Sequence, residues 1–411
     1  MSRFGLYWSS ATASYLGDGV RFAALPLLAA SLSSSPADVA WVSGAVGLPW
    51  LLFGLVAGVI VDRVQRARLM ALVQLARAVV GGAVVAAVAG GGLTIPSLVL
   101  LVFLLSTCEV LYDVAANAVL PAIVDRRRLQ WANGRLIAAE IAALEFAGPA
   151  LGGMLFAVGA ALPFAFDAAS FLGSAVLLLV VARGLAARLP ASTGDAREHS
   201  SIGKELLEGF RWFRSQALVR SLTLMAVAVN LGAGGFYAIL VLFAQRELSL
   251  GPAGYGYLIA VGAAGSVAAG VVADKVTAGS DRRRLVVLTA PAVCTCFAVT
   301  AARPNVLVTA AAMVAFGFVV TLANVVAVSL RQLLTPDEML GRVIAVHRFL
   351  CWGALPLGAA LAGLVGNALG VRAAMATCAL ATVAVWLVTA RPLLRTSAGG
   401  FDPRPEMAGA R

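Results

Sequence analysis

The sequence predicts an all-α membrane protein whose twelve transmembrane helices form two six-helix bundles. Of its 411 residues, 61% are hydrophobic and 12% are charged, whereas a soluble globular chain is about half apolar and about a quarter charged. The apolar residues occur in runs of about 20, which is the length of helix that crosses a hydrocarbon core of about 30 Å. A lipid environment therefore accounts for this composition, and a large soluble core does not.

Twelve apolar runs follow one another, separated by short polar breaks that contain Gly or Pro. The first run is longer than the apolar part of a signal peptide, so we expect it to be a span. One break, at 184–217, is much longer than the others and separates six runs from six. The predicted spans are 6–30, 39–61, 69–90, 95–118, 136–158, 164–183, 218–244, 255–273, 284–301, 305–329, 343–366 and 373–391.

Basic residues are concentrated in every second loop, beginning with the loop between the second and third spans. The intervening loops hold only Arg246, Arg303 and Arg372. Because loops rich in Arg and Lys stay on the cytoplasmic side, both termini are expected in the cytoplasm, which requires an even number of spans. Nearly all basic residues are Arg, and with abundant Ala and Gly this suggests a bacterial source, so the expected location is a bacterial inner membrane.

The long break is expected to be a cytoplasmic linker that contains an amphipathic helix. Ser200 or Ser201 is suited to cap this helix, and Trp212 is expected at the level of the lipid headgroups. The apolar residues that recur at helical spacing are Ile202, Leu206, Phe210 and Phe213. The predicted units are an N-terminal bundle at 1–183, the linker at 184–217, a C-terminal bundle at 218–395 and a disordered cytoplasmic tail at 396–411.

The two halves contain related sequences. Gly58–Arg63 recurs as Gly270–Lys275, in each case at the end of the second span of its half. A separation of 207 residues relates two further pairs, Gly134 with Gly341 and Pro149 with Pro356. Two repeats in the same orientation, joined by a long cytoplasmic linker, are typical of transporters in which two bundles related by a pseudo-two-fold axis rock about a central site.

The loop between the second and third spans carries the residues of a known family. GVIVDRVQRAR at 58–68 resembles the signature G-x-x-x-D-R-x-x-R-R/K of the major facilitator superfamily, except that Ala67 stands at the final basic position and Arg68 follows it. The chain is similar to the branch that contains macrolide-efflux proteins and the enterobactin exporter, in the segments LPAIVDRRRLQWANGR, FAFDAASF, EGFRWFRSQALVRSL and RQLLTPDEMLGRV. The resemblance covers essentially the whole chain and implies the two-bundle fold of that superfamily.

The resemblance also implies a conformational latch at this loop, in which ion pairs stabilise the outward-open state. An ordinary positive-inside loop is the alternative interpretation. Because the pattern is repeated in the second half, we favour the latch and expect its loss to shift the conformational equilibrium without removing substrate contacts. The latch residues are Gly58, Asp62, Arg63, Arg66 and Arg68, with Gly270, Asp274 and Lys275 in the repeat.

The fifth span contains a stripe of small residues, Gly148-Pro149-Ala-Leu-Gly152-Gly153. It resembles the G-P-x-x-G-G core of the antiporter motif of drug/proton exporters, but the glycines that precede this core in the motif are missing here. A helix-packing interface without a direct role in transport is the alternative.

Charged residues inside spans are costly and are therefore candidates for function. Asp18 and Arg21 are three residues apart on the first span and can pair on one face. Glu145 lies near the middle of the fifth span, within about 20° of Gly152 around an α-helix. Burial favours the uncharged form of a carboxyl group, so such a group can take up and release a proton. The proton-coupling candidates are Asp18, ranked first, then Glu145 and Glu109, with Glu140 in addition.

Other polar residues in the spans are expected to support these groups. Asp113 with Arg77 is expected to form a structural ion pair, and Asp167 to be a polar group either at a helix end or in helix packing. Arg21 could instead meet an anionic substrate. The charge partners are Arg21, Arg77, Asp113, His347 and Arg348. The candidates for lining a cavity are Tyr15, Trp50, Tyr112, Asn117, Asn230, Phe236, Tyr237 and Asn324.

The favoured function is a proton-driven exporter of a hydrophobic or amphipathic small molecule, such as a drug, an antibiotic or a siderophore-like compound. The expected partners are that molecule, protons and membrane lipid, and the protein is expected to act as a monomer. Uptake of a metabolite is the alternative among transporters. An enzyme or sensor is disfavoured because the sequence has no nucleophile–base pair, metal-ligand cluster, phosphate loop or signalling domain. No cofactor or metal is expected. Nucleic-acid binding is not expected either, because the basic residues lie between apolar spans.

Overall fold

The computed structural model describes residues 3–186, 202–279 and 281–390. Thirteen helices build the fold within these residues, which contain no strand. The predicted tail at 396–411 and the two predicted caps, Ser200 and Ser201, lie outside the described residues. The helices are α1 Arg3–Leu32, α2 Pro36–Arg63, α3 Arg66–Ala89, α4 Ile95–Ile123, α5 Leu129–Val158, α6 Leu162–Ala186, α7 Ile202–Ser215, α8 Ala217–Arg246, α9 Pro252–Gly279, α10 Arg282–Ala302, α11 Val306–Leu334, α12 Asp337–Leu369 and α13 Val371–Thr389.

Several helices are longer than the predicted spans at one end of the molecule. That end, here called the arginine-rich end, carries loops 64–65, 124–128 and 335–336, and the opposite, arginine-poor end carries loops 33–35, 90–94 and 247–251. At the arginine-rich end α5 begins at Leu129 instead of 136, and α12 begins at Asp337 instead of 343. Hydropathy detects only the apolar part of a helix, whereas backbone hydrogen bonding continues through polar residues with good helix propensity.

Eleven helices in the described residues are long and apolar enough to cross a membrane. α1 has 30 residues and is also long enough, but Asp18, Arg21 and its Ser and Thr residues lower its mean hydropathy. It packs on α5 and α6 in the way that α8 packs on α12 and α13. We therefore count α1 as the twelfth span.

The two halves repeat the same helix contacts. α1 packs on α5 and α6, and α3 packs on α4 and α6; correspondingly, α8 packs on α12 and α13, and α10 packs on α11 and α13. Between the halves, α2 packs on α12 and α5 packs on α9. The repeat relates α2 to α9 and α5 to α12, so these two interfaces are equivalent, as a pseudo-two-fold axis requires.

Single residues at these interfaces match as well. A Cβ atom placed on Gly256 would lie 2.4 Å from the carbonyl oxygen of Pro149, and one placed on Gly44 would meet Pro356 at 3.8 Å. Pro149 and Pro356 are 207 residues apart, whereas Gly44 and Gly256 are 212 apart, like the repeated motifs that begin at 58 and 270. The sequence duplication therefore extends to the packing.

The helix α7 lies in the segment where the sequence predicts an amphipathic helix. Phe213 is buried in a cluster with Val343 of α12, and Arg342 Nη1 donates to Glu208 Oε2 at 2.7 Å. Phe210, on another face, is 42% exposed. α7 thus packs against the arginine-rich end of the second half and leaves an apolar side chain uncovered by protein.

Candidate functional site

A cavity of about 520 Å³ lies between the two halves. Helices of both halves form its wall, and most of the residues that line it are apolar or aromatic. The charged residues of the wall are Asp18, Arg21, Glu109 and Glu145. The large apolar and aromatic residues include Phe22, Tyr237, Tyr255, Met313, Phe316 and Trp352.

Five charged side chains from α1, α3, α4 and α6 meet at this wall, and we call Asp18, Arg21, Arg77, Glu109 and Asp167 the charge cluster. Arg21 Nη2 lies 2.6 Å from Asp18 Oδ1 and 3.0 Å from Glu109 Oε2. Arg21 Nε lies 3.3 Å from Asp167 Oδ2. Arg77 Nη2 donates to Asp18 Oδ1 and lies 3.6 Å from Glu109 Oε2. Both guanidinium groups therefore share the same two carboxylates.

The members of the charge cluster differ in depth. Arg77 and Asp167 are fully enclosed by protein, and Arg21 is almost so. The side chains of Asp18 and Glu109 are 13% and 28% exposed, and both line the cavity. A proton or ligand in the cavity can therefore reach Asp18 and Glu109 directly, whereas Arg77 and Asp167 can act only through their partners.

Polar side chains behind the charge cluster hold it in place. Arg77 Nη1 donates to Gln74 Oε1 at 3.3 Å, and Gln74 Nε2 donates to Ser14 Oγ at 2.9 Å and to Ser174 Oγ at 3.0 Å. Ser14 in turn donates to Asp18 Oδ2 at 3.3 Å. The second oxygen of Asp18 is thus fixed by a hydroxyl group while the first receives both arginines.

Close approach of α6 to α1 places Asp167 in the charge cluster. A Cβ atom added to Gly17 would lie 2.0 Å from Ser170 Oγ and 2.7 Å from Asp167 Oδ1, so the two helices are in contact at this height. The sequence predicts Asp167 to be a helix-end or packing polar group, and Gln74 is not among the predicted site residues. The only sequence signal for Asp167 was a carboxylate inside an apolar span, a class of residue that is functional by default.

Arg77 has different partners from the one expected. Asp113 is the partner that the sequence predicts, because Arg77 and Asp113 lie at a similar depth in their spans. In the structure, the ion pairs of Arg77 are with Asp18 and Glu109. Asp113 is one turn from Glu109 on α4 and is partly buried.

A third carboxylate that lines the cavity, Glu145, lies in an irregular part of α5. Ile141–Ala147 is π-helical, between α-helical segments at Leu129–Glu140 and Gly148–Val158. In an uninterrupted α-helix, Glu145 would share a face with position 152. A π-helical turn accommodates one extra residue, so Glu145 shares a face with position 153 instead. Glu145 accordingly lines the cavity with Ser266 of α9, and Glu140, before the π-helical turn, is partly buried outside the cavity wall.

The small-residue stripe of α5 contacts two helices. Added Cβ atoms on Gly148 and Gly152 would lie 2.6 Å from Gly19 Cα and 2.3 Å from the Val20 carbonyl oxygen, both on α1. One on Gly153 would lie 2.5 Å from the carbonyl oxygen of Pro252 on α9. Pro149 lines the cavity. The stripe thus packs α5 within its own half through two glycines and against the other half through the third.

The C-terminal charge partners lie away from the charge cluster. His347 Nδ1 is 3.3 Å from Thr223 Oγ1 and 3.6 Å from Cys351 Sγ. Arg348 lines a second cavity of about 220 Å³, together with Trp50 and Phe349. Neither His347 nor Arg348 forms an ion pair with the five residues of the charge cluster.

The predicted cavity-lining residues fall in several environments. Tyr237 lines the central cavity and Trp50 the smaller one. Tyr112 and Phe236 are buried in the protein core, and Asn230 donates to the carbonyl oxygen of Ala226. The remaining candidates are Tyr15, which is half-buried, Asn324, which is exposed, and Asn117, whose side chain lies outside the described part.

The latch residues that the structure describes are at the surface. Arg66, Arg68, Asp274 and Lys275 are exposed, and a Cβ atom added to Gly270 would meet nothing within 4 Å. The surroundings of Gly58 and the side chains of Asp62 and Arg63 lie outside the described part.

The halves contact each other closely at the arginine-poor end. Ser35 Oγ lies 3.4 Å from Asn367 Oδ1, and Arg246 donates to the carbonyl oxygen of Ser34. A Cβ atom added to Gly363 would lie 2.5 Å from Ala40 Cβ. These contacts join α12 and α8 to α2 and to the loop before it, on one side of the central cavity.

Comparisons with known proteins agree with this architecture. Residues 1–408 match the model of a family described as transmembrane secretion effectors of the MFS class. The multidrug efflux pump Tap of Mycobacterium tuberculosis is 29% identical over 399 residues, which cover 92% of this chain and 91% of that protein. An MFS-type transporter of Sinorhizobium fredii is 27% identical over 362 residues, covering 87% of this chain and 86% of its own.

Solved structures share the fold. The nucleoside transporter NupG superposes with a TM-score of 0.73 at 10% identity, covering 95% of this chain and all of the other. A bacterial homologue of the human lysosomal transporter Spinster, in an inward-facing and occupied conformation, also gives a TM-score of 0.73, at 14% identity over 95% of this chain and 97% of its own. The repeated helix packing, the shared central cavity and the match along nearly the whole chain establish that this protein belongs to the transmembrane secretion effector family of the major facilitator superfamily.

Proposed function

We propose that the protein is a proton-coupled exporter of hydrophobic or amphipathic small molecules and that it works by alternating access. The observation that carries this proposal is the position of the charge cluster, which opens onto a cavity shared by both halves. A proton-binding group and a substrate can therefore occupy one space. The relative Tap is a multidrug efflux pump, which supports export as the direction.

The balance of charges explains how a proton can be coupled to movement. The charge cluster has three carboxylates, Asp18, Glu109 and Asp167, for two guanidinium groups, Arg21 and Arg77. An excess charge inside a protein is costly, and one bound proton removes it. Asp18 is the strongest candidate because it contacts both arginines and lines the cavity. A proton on Asp18 weakens its ion pair with Arg21 inside α1 and its ion pair with Arg77, which joins α1 to α3.

The cavity wall supports the substrate class. Its large side chains are mostly aliphatic or aromatic, and its volume of about 520 Å³ lies in the range of about 300–1,000 Å³ that is usual for small-molecule sites. A hydrophobic or amphipathic molecule can contact residues of both halves at once. Movement of one half relative to the other would therefore change the contacts of such a ligand.

The loop charges support an orientation with the arginine-rich end and both termini in the cytoplasm of a bacterial cell, in the inner membrane. The close contacts between halves at the arginine-poor end then correspond to a state closed to the outside and open to the cytoplasm. The exposed latch residues Arg68, Asp274 and Lys275 fit that state, since the latch would close in the opposite one. We propose that a monomer surrounded by lipid performs the cycle.

The coupling role of Asp18 can be tested in proteoliposomes with an imposed pH gradient. We expect Asp18→Asn to abolish gradient-driven substrate efflux, because the amide cannot take up and release the proton. Substrate exchange without a gradient should persist, since it needs no net proton transfer. The readouts are substrate flux and pH-sensitive dye fluorescence inside the vesicles.

The matched control is Asp281→Asn, which removes one negative charge at the start of α10, outside the cavity. Asp281 caps this helix by accepting from Arg283 N–H, and Asn caps equally well, so this variant should transport like the wild type. Full gradient-driven efflux by Asp18→Asn would refute the assignment of Asp18. Accumulation of substrate on the cytoplasmic side against its own gradient would instead identify an uptake transporter.

A further inference from the structure

Glu145 is a carboxylate on the cavity wall that the charge cluster does not engage. It lies on α5, its side chain is exposed to the cavity, and Ser266 of α9 lines the cavity with it. Among the described residues, no Arg, Lys or His forms an ion pair with Glu145. A carboxylate in mostly apolar surroundings without a counter-charge is costly, so a cation from outside the protein would stabilise it.

The backbone is arranged to place this carboxylate in the cavity. The π-helical segment Ile141–Ala147 shifts the register of α5, while Gly148 and Gly152 keep the rest of the helix packed on α1. Without the extra residue, Glu145 would follow the face of Gly152, which points at α1. Single π-helical turns inside α-helices are frequent at functional sites.

Three of the aromatic residues that line the same cavity, Phe22, Tyr237 and Phe316, lie close together. The ring centroids of Phe22 and Tyr237 are 5.9 Å apart, and those of Tyr237 and Phe316 are 6.1 Å apart. Phe22 is 45% exposed, so its ring is open to a ligand. Aromatic rings attract cations held near their faces, and they also offer a flat apolar surface to an organic body.

The charges of the wall favour a cation over an anion. Among the described residues, Asp18, Glu109 and Glu145 line the cavity with one guanidinium group, that of Arg21. Arg21 already contacts both Asp18 and Glu109. An anionic ligand would meet a surplus of carboxylates, whereas a cation would find Glu145 unpaired.

We propose that Glu145 is the docking carboxylate for a lipophilic cation, whose apolar body packs against Phe22, Tyr237 and Phe316. This inference rests on the proposed function and names its substrate class. It gives Glu145 a task different from that of Asp18, because Glu145 binds the exported cation while Asp18 carries the proton.

The test compares two probes of nearly equal size and opposite charge, tetraphenylphosphonium and tetraphenylborate, by equilibrium binding to purified protein in detergent without a pH gradient. We expect the wild type to bind the phosphonium more tightly than the borate. Glu145→Gln should weaken phosphonium binding by roughly tenfold or more, as is usual when one partner of a close charge pair is lost. The control Asp281→Asn should bind like the wild type, which excludes a general effect of net charge.

Equal affinity of the wild type for both probes, or phosphonium binding by Glu145→Gln that matches the wild type, would overturn the inference. If Glu145→Gln does not fold, Tyr237→Leu tests the same site, and unchanged phosphonium binding in that variant would count equally against it. If the protein exported neutral compounds by proton-driven efflux but bound no cation, the inference would be refuted and the proposed function would stand. Cation binding through Glu145 without proton-driven efflux would refute the proposed function and leave the site assigned.

Discussion

At the scale of single residues, the central feature is that two arginines are held inside an apolar bundle. Arg77 is fully enclosed, contacts Asp18 and Glu109, and stacks its guanidinium carbon 3.9 Å from the ring centroid of Phe171. Gln74 satisfies another of its nitrogens. A buried charge is tolerable only with partners of this kind, so the side chains around Arg77 form one unit.

This unit predicts a large effect for the loss of one partner. We expect Arg77→Ala to destabilise the protein by about 3–5 kcal/mol, because it leaves buried carboxylates with one guanidinium group between them. The measurement is the apparent melting temperature of the purified protein in detergent. Arg284→Ala removes a surface arginine that is 82% exposed and pairs only at 3.7 Å, so its melting temperature should match the wild type. Equal stability of Arg77→Ala and the wild type would contradict a structural role for the charge cluster.

At the scale of helices, α5 both packs against α1 and places Glu145 on the cavity wall. Gly148 and Gly152 bring its backbone against α1, as is typical where small residues allow membrane helices to approach closely. The repeat preserves this contact, since a Cβ atom on Gly234 of α8 would lie 2.7 Å from Leu355 Cα of α12. The π-helical turn before Gly148 then directs Glu145 towards the other half.

The α1–α5 contact gives a prediction at this scale. We expect Gly152→Ala to lower the free energy of unfolding by about 1–3 kcal/mol. Its Cβ atom would lie 2.3 Å from the Val20 carbonyl oxygen, so the backbone of one of the two helices would have to move. Gly82→Ala on α3 is the matched control, because an added Cβ atom there meets nothing within 4 Å. It should be neutral or stabilising, because Ala favours a helix more than Gly does. Thermal unfolding of both variants in detergent decides the point, and equal melting temperatures would contradict close packing at Gly152.

At the scale of the whole molecule, the two halves meet through equivalent interfaces, α2 with α12 and α5 with α9. The α2–α12 interface includes the arginine-poor end, where Ser35 and Asn367 face each other and Gly363 packs on Ala40. If the halves rock about the central cavity, these contacts must open when the opposite end closes. The charge cluster, which lies within one half, can move as a body during that change.

Alternating access predicts that joining the arginine-poor end stops transport. In a variant whose five native cysteines are replaced by alanine, we expect the pair Ser35→Cys and Asn367→Cys to react with a short bifunctional methanethiosulfonate. Substrate flux in proteoliposomes should then fall to background and recover after reduction. Each single cysteine variant, treated in the same way, should keep its flux. Undiminished transport by the cross-linked protein would mean that this interface does not open during the cycle.

The sequence by itself determined the helix content, the six-plus-six division and the family. These follow from local hydropathy and from comparison of the chain with itself, and neither requires knowledge of which helices touch. Asp18 and Arg21 were identified as a pair for the same reason, because three residues on one helix fix their relative position. The orientation and the roles of single residues remain predictions that the proposed experiments address.

Only the tertiary structure decided which charges meet. Asp167 joins Arg21 because α6 approaches α1 at Gly17, and Arg77 reaches Asp18 and not only its neighbours on α4. Glu145 faces the cavity because a π-helical turn adds one residue to α5, which no local sequence preference required. Partners far apart along the chain depend on helix contacts and register, and these are set by the packing of the whole bundle.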